Sequence, residues 1–138
     1  MKNCERAKRV LVVDDEPDFT SLLEIFLSSE GYEVVTSLNG EEALKKINEW
    51  TPDAITLDIQ MPKKSGIVFY RQIKSTAKYQ HIPVIIITGL TRNDKDMNTI
   101  IHSLLEPENV PVPDFYLEKP VDKETLLATV KQLFHSEP

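Results

Sequence analysis

Val10-Leu11-Val12-Val13-Asp14-Asp15-Glu16-Pro17 is an apolar, largely β-branched run that stops on two acids and then on a proline. An apolar run without alternation is how a strand covered on both faces reads. Proline suits the first turn of a helix, and Phe19, Leu22, Leu23, Phe26 and Leu27 follow at i, i+3, i+4, i+7, i+8 spacing, with Gly31 just past the end. The stretch predicts strand, acidic turn, helix.

Outward from there the unit repeats. Glu33 to Thr36 reads as a short strand, and Asn39-Gly40 opens a helix carrying Ala43, Leu44, Ile47 and Trp50, closed by Thr51-Pro52. Ala54 to Asp58 is a third strand. A loop from Ile59 to Gly66 leads into a helix to about Lys78, with Phe69, Ile73 and Ala77 inward. Pro83 enters a fourth strand, Val84 to Ile87, ending on Thr88. Met97, Ile100, Ile101, Leu104 and Leu105 mark a fourth helix, followed by a proline-rich stretch to Pro113 that suits polyproline geometry. Phe115 to Glu118 is a fifth strand, ending on Lys119-Pro120. The last helix starts near an N-cap at Asp122 and presents Leu126, Leu127, Val130, Leu133 and Phe134.

Strands alternating with helices give βαβ units, a parallel sheet and an α/β fold. The 138 residues suffice for one domain over 1–138, with no room for a second. Composition, 41% hydrophobic and 28% charged, is that of a globular protein. A net charge of −6 argues against nucleic acid as the direct partner, and the basic group Lys2, Arg6, Lys8 and Arg9 reads as a solvated tail. No apolar stretch is long enough for a membrane span or a signal-peptide core, and the single Cys4 permits no internal disulfide. Cytoplasm is the expected location.

Open α/β sheets place their sites at the carboxyl ends of the strands. Asp14, Asp15, Asp58, Thr88 and Lys119 would meet there. Unit charges 4 Å apart repel by roughly 4 kcal/mol at an effective dielectric of about 20, so three carboxylates need compensation. Lys119 supplies one positive charge and a hard divalent cation such as Mg²⁺ the rest. Asp58, alone at its strand end, is the best candidate for a carboxylate that accepts a phosphoryl group. Plainer readings exist for single residues: helix capping for Asp14-Asp15, self-satisfied backbone for Thr88, strand packing for Tyr116. Trp50 reads as core, and His81, His102 and His135 as surface residues.

Together, Asp14-Asp15, Asp58 with Met61-Pro62, Thr88-Gly89 and Lys119-Pro120 resemble the receiver domain of bacterial two-component response regulators, over about residues 8–136. The resemblance implies a flavodoxin-like, doubly wound (βα)5 three-layer sandwich with strand order 2-1-3-4-5. It implies Asp58 as phosphoacceptor, Asp15 as a direct and Asp14 as a water-mediated Mg²⁺ ligand, and the backbone carbonyl of Gln60 as a further one. Lys119 would pair with the phosphoryl group, Thr88 would be the switch hydroxyl and Tyr116 the aromatic that swings with it. The Lys119–Pro120 bond would be cis. Gln60 and Leu90 would flank the hydrolytic water, Gln60 able to hydrogen-bond it and Leu90 to crowd it, which implies slow-to-intermediate dephosphorylation.

The implied function is a stand-alone receiver in a phosphorelay. A sensor histidine kinase or histidine phosphotransfer protein would be the donor, and a protein target would read the face formed by the fourth helix, fifth strand and fifth helix. It would phosphorylate and dephosphorylate itself without turning over small molecules. The chain departs from the family at Glu106 to Pro113, about two helical turns' worth of residues longer than usual, which would reshape the output face or simply enlarge a loop. A haloacid-dehalogenase-type phosphohydrolase is the enzyme rival, but it wants a second Asp two residues after the nucleophile. Glu16 and Gln60 stand there instead. An interaction module with a vestigial site is the other alternative.

Overall fold

The computed structural model describes residues 7–89 and 113–135. Five parallel strands, β1 (Arg9–Val13), β2 (Glu33–Ser37), β3 (Ala54–Leu57), β4 (Val84–Thr88) and β5 (Phe115–Glu118), form one sheet in the order β2-β1-β3-β4-β5. Helices α1 (Pro17–Ser28), α2 (Gly40–Glu49) and α3 (Ser65–Lys74), a C-terminal helix (Lys123–His135) and a single 3-10 turn (Pro62–Lys64) complete the described elements. This is the flavodoxin-like fold that the sequence implied. The expected fourth helix, Leu90 and the proline-rich stretch up to Val112 lie outside the described residues.

The uniform apolar strands are explained by two separate cores. Leu11, Val13, Ile55, Leu57 and Ile86 point to one face and pack with Ala43 and Ile47 of α2 and Phe69, Tyr70 and Ile73 of α3. Val10, Val12, Ala54, Ile85 and Ile87 point to the other, against Leu23 and Leu27 of α1 and Leu126, Val130 and Leu133 of the C-terminal helix. Successive strand residues alternate faces, so burying both requires apolar residues throughout.

Local chemistry sets the helix ends. Asn39 Oδ1 accepts the N–H of Glu42 at 2.8 Å, while Glu42 Oε1 accepts the N–H of Leu38 at 2.8 Å. These reciprocal caps start α2. Asp122 caps the C-terminal helix as expected, accepting the N–H of Thr125 at 3.0 Å.

Two expectations need correction. Helix α3 stops at Lys74 rather than near Lys78, and Ala77 is exposed while Tyr79 fills the inward place. The Thr76 hydroxyl donates to the Gln72 carbonyl at 2.7 Å, and the N–H groups of Tyr79 and Gln80 turn back to the Thr76 carbonyl; Ser and Thr offer the backbone such alternatives to helix. On α1, Leu22 is exposed rather than inward. The apolar stripe of that helix is wider than the face the sheet covers.

Candidate functional site

Strand register builds the site. Val13 is paired with Leu57 across β1 and β3, so Asp14 and Asp58, one residue further on, leave the sheet side by side. Thr88 is paired with Glu118 across β4 and β5, which brings Lys119 to the same edge; its N–H donates to the Thr88 carbonyl at 2.8 Å. The Lys119–Pro120 bond is cis.

The two buried aspartates are held alike. Asp14 Oδ1 accepts the N–H of Glu16 at 2.9 Å, and Asp58 Oδ1 accepts the N–H of Gln60 at 2.9 Å. Each bond reaches two residues along the chain and fixes one carboxylate oxygen. The other oxygens face Lys119, whose Nζ lies 2.9 Å from Asp14 Oδ2 and 3.3 Å from Asp58 Oδ2. Lys119 thus meets both carboxylates as ion pairs, and the Asp14 oxygen that faces it is buried with no other partner among the described residues.

Gly66 seats the loop beneath Asp58. A Cβ there would stand 2.4 Å from the Asp58 carbonyl oxygen, closer than any side chain tolerates. Lys63, in the same loop, takes a left-handed turn at φ 61°.

Burial pushes the Asp14 and Asp58 carboxyls above the usual carboxylate range, against the pull of Lys119 and of the backbone N–H groups. Burial by itself would lower Lys119, but Glu16, Asp14 and Asp58 outweigh it and hold the amine above the ordinary lysine range. The cluster carries more negative charge than its one lysine balances.

Asp14, Asp15 and Asp58 each offer a carboxylate oxygen within 4.8 Å of the others. Asp15 is exposed at the mouth, while Asp14 and Asp58 are buried. Three hard oxygen donors that share one lysine fit a hard divalent cation.

Thr88 is fully buried beside this cluster. Tyr116 pairs with Ile86 in the sheet, two residues back from the edge, and is half-buried against the core face that holds Tyr70. Two features escaped the sequence reading. Glu16 Oε1 lies 2.6 Å from Lys119 Nζ as a third ion pair, because Glu16 sits at the start of α1 without capping it. Its position after two acids was the available signal. Also, the Gln60 side chain, read as a partner for water, has its Oε1 accepting both the Thr88 hydroxyl and the N–H of Gly89. Of the histidines, His81 and His135 are exposed, as expected, and His102 lies outside the described residues.

Fold and edge together define a doubly wound α/β domain with an acidic carboxyl edge. The chain belongs to the response regulator receiver domain family, whose model matches residues 10–131. Receiver domains take a phosphoryl group on an aspartate and bind Mg²⁺ at acidic residues. Over 126 residues the chain is 34% identical to the alkaline phosphatase synthesis transcriptional regulatory protein PhoP of Bacillus subtilis, covering 91% of this chain and 48% of that one. Over 126 residues it is 37% identical to the response regulator PleD of Caulobacter vibrioides, covering 91% of this chain and 26% of that one. It thus spans less than half the length of either relative. The solved response regulator TrrA of Thermotoga maritima, in complex with Mg(2+)-BeF, aligns with a TM-score of 0.72 at 36% identity, covering 91% of this chain and 98% of that one.

Proposed function

We propose that Asp58 accepts a phosphoryl group, in a Mg²⁺-dependent reaction, from a sensor histidine kinase or histidine phosphotransfer protein. One observation carries the reading: Lys119 Nζ stands between Asp14 Oδ2, at 2.9 Å, and Asp58 Oδ2, at 3.3 Å, where three carboxylates converge. Asp58 is favoured as acceptor because its strand is central, flanked by the acids of β1 and the hydroxyl of β4.

A carboxylate oxygen of Asp58 attacks the phosphorus of the donor phosphohistidine. The new P–O bond forms as the P–N bond breaks, and the imidazole leaves with the electron pair. The N–H of Gln60 fixes Oδ1 of Asp58 and leaves Oδ2 to react. Lys119 turns its charge to the phosphoryl oxygens. Asp14, Asp15, Asp58 and the Gln60 carbonyl would hold Mg²⁺, which when bound neutralises phosphoryl charge. Gln60 and Leu90 set the lifetime of the product.

Phosphorylation then shifts a two-state equilibrium through Thr88 and Tyr116, and a protein target reads the altered face. The receiver itself is taken as the signalling unit, a cytoplasmic module without small-molecule turnover. The net charge of −6 favours a protein target over nucleic acid. No helix among the described residues is long and apolar enough to cross a membrane.

The test is to incubate the protein with Mg²⁺ and a small phosphodonor and weigh it intact. One phosphate adduct is expected, absent from Asp58→Asn. No adduct on the wild type, or one that survives the substitution, overturns the reading.

A further inference from the structure

Gln60 joins the ends of two strands. Its backbone N–H donates to Asp58 Oδ1 at 2.9 Å, and its side-chain oxygen accepts from Gly89 N–H at 3.0 Å and from the Thr88 hydroxyl. Gly89 N–H can only donate, which fixes the amide oxygen, rather than its nitrogen, on this side. Thr88 is fully buried, so its hydroxyl needs a partner, and exposed Gln60 supplies one across the edge.

A hydroxyl has one proton to donate. While that proton is given to Gln60 Oε1, it cannot be given to a phosphoryl oxygen, which offers only acceptors. The two acceptors compete for one donor.

We infer that Gln60 is a latch on Thr88: its amide oxygen holds the switch hydroxyl in the unphosphorylated molecule and must release it before Thr88 reaches a phosphoryl group. The inference rests on Asp58 being the acceptor. It makes Gln60 a positioning residue that acts through Thr88, apart from any effect on a hydrolytic water. Whatever favours the latched state weakens binding of a phosphoryl group by the same factor.

The experiment titrates the whole chain with beryllofluoride in saturating Mg²⁺ and follows heat. Beryllofluoride stands in for the phosphoryl group on the acceptor and is not hydrolysed, so rates of water attack do not enter. Gln60→Met keeps the length of the side chain and removes the acceptor oxygen. It is expected to bind beryllofluoride about two- to tenfold tighter, the equivalent of one ordinary hydrogen bond. Gln60→Ala, expected to behave the same way, guards against misfolding or a new contact of the methionine. In a Thr88→Val background, Gln60→Met is expected to lose most of this tightening, because the latch has no hydroxyl to hold and only the Gly89 N–H remains on the amide oxygen.

Equal or weaker binding by both Gln60 variants overturns the latch, as does the same tightening in the Thr88→Val background. A wild type that binds no beryllofluoride overturns the acceptor role of Asp58, and the inference with it.

Discussion

The two edges of the sheet use charged residues in opposite ways. At the edge where the strands begin, charge is spent on backbone. Asp53 Oδ2 accepts the N–H of Arg9 at 2.8 Å, and Asp114 Oδ2 accepts the N–H of Val84 at 2.9 Å. Buried Lys74 donates to the carbonyls of Gln80 at 3.1 Å and Ile82 at 2.6 Å. Those groups hold strand entries and a loop in place. At the edge where the strands end, Asp14 and Asp58 give one oxygen to backbone and turn the other toward a shared lysine. Charge that serves the backbone stabilises the fold, and charge that faces like charge is held ready for something else.

Substitutions at the two edges can break or sharpen that contrast. The largest effect is expected from Gly66→Ala, whose Cβ would collide with the Asp58 carbonyl oxygen. A loss of about 3 kcal/mol in urea unfolding is expected, with phosphorylation slowed as the acceptor loop moves.

Lys74→Met is next. It leaves two carbonyls without their donor and should lose about 2 kcal/mol. Burial disfavours the cation at Lys74, so the folded chain releases that proton at lower pH than the unfolded chain does. Between those two points the unfolded state holds the extra proton, and stability rises with pH. Unfolding midpoints taken toward the ordinary lysine range should therefore widen the gap in the wild type's favour. A gap constant with pH would show that burial does not disfavour the Lys74 cation.

At the other edge the sign reverses. Asp58→Asn should stabilise the metal-free protein by about 1 kcal/mol, because it removes a buried carboxylate from an over-acidic cluster while Lys119 keeps Asp14 and Glu16. Added Mg²⁺ should stabilise the wild type and leave the variant nearly unchanged. Destabilisation by Asp58→Asn would place this edge in the same structural role as the other.

The smallest effect belongs to Glu16→Gln. Glu16 is mostly exposed, so stability should move by less than about 0.5 kcal/mol. Lys119 loses a competitor for its charge, and phosphorylation by a small donor should quicken about twofold. An unchanged rate would mean that the Glu16 pair is only a surface contact.

The acids, hydroxyl and lysine at the strand ends were legible in the sequence because each follows an apolar run, and a parallel α/β sheet sends such ends to one edge. Asp14, Asp58, Thr88 and Lys119 needed only the strand register to meet. Their immediate partners were not legible. Glu16 and Gln60 are polar residues on turns or helix ends, where periodicity carries no signal, and their contacts span 103 and 28 positions of chain respectively.

By itself, then, the sequence determined the alternation of elements, the two-faced burial of the strands and the acidic carboxyl edge, since these follow from local periodicity and side-chain chemistry. Tertiary structure alone decided that α3 stops at Lys74, that Glu16 competes for Lys119 and that Gln60 closes on Thr88. Those outcomes depend on which polar groups lie within hydrogen-bonding reach once the strands are in register, a matter of a few ångströms that no one-dimensional pattern encodes.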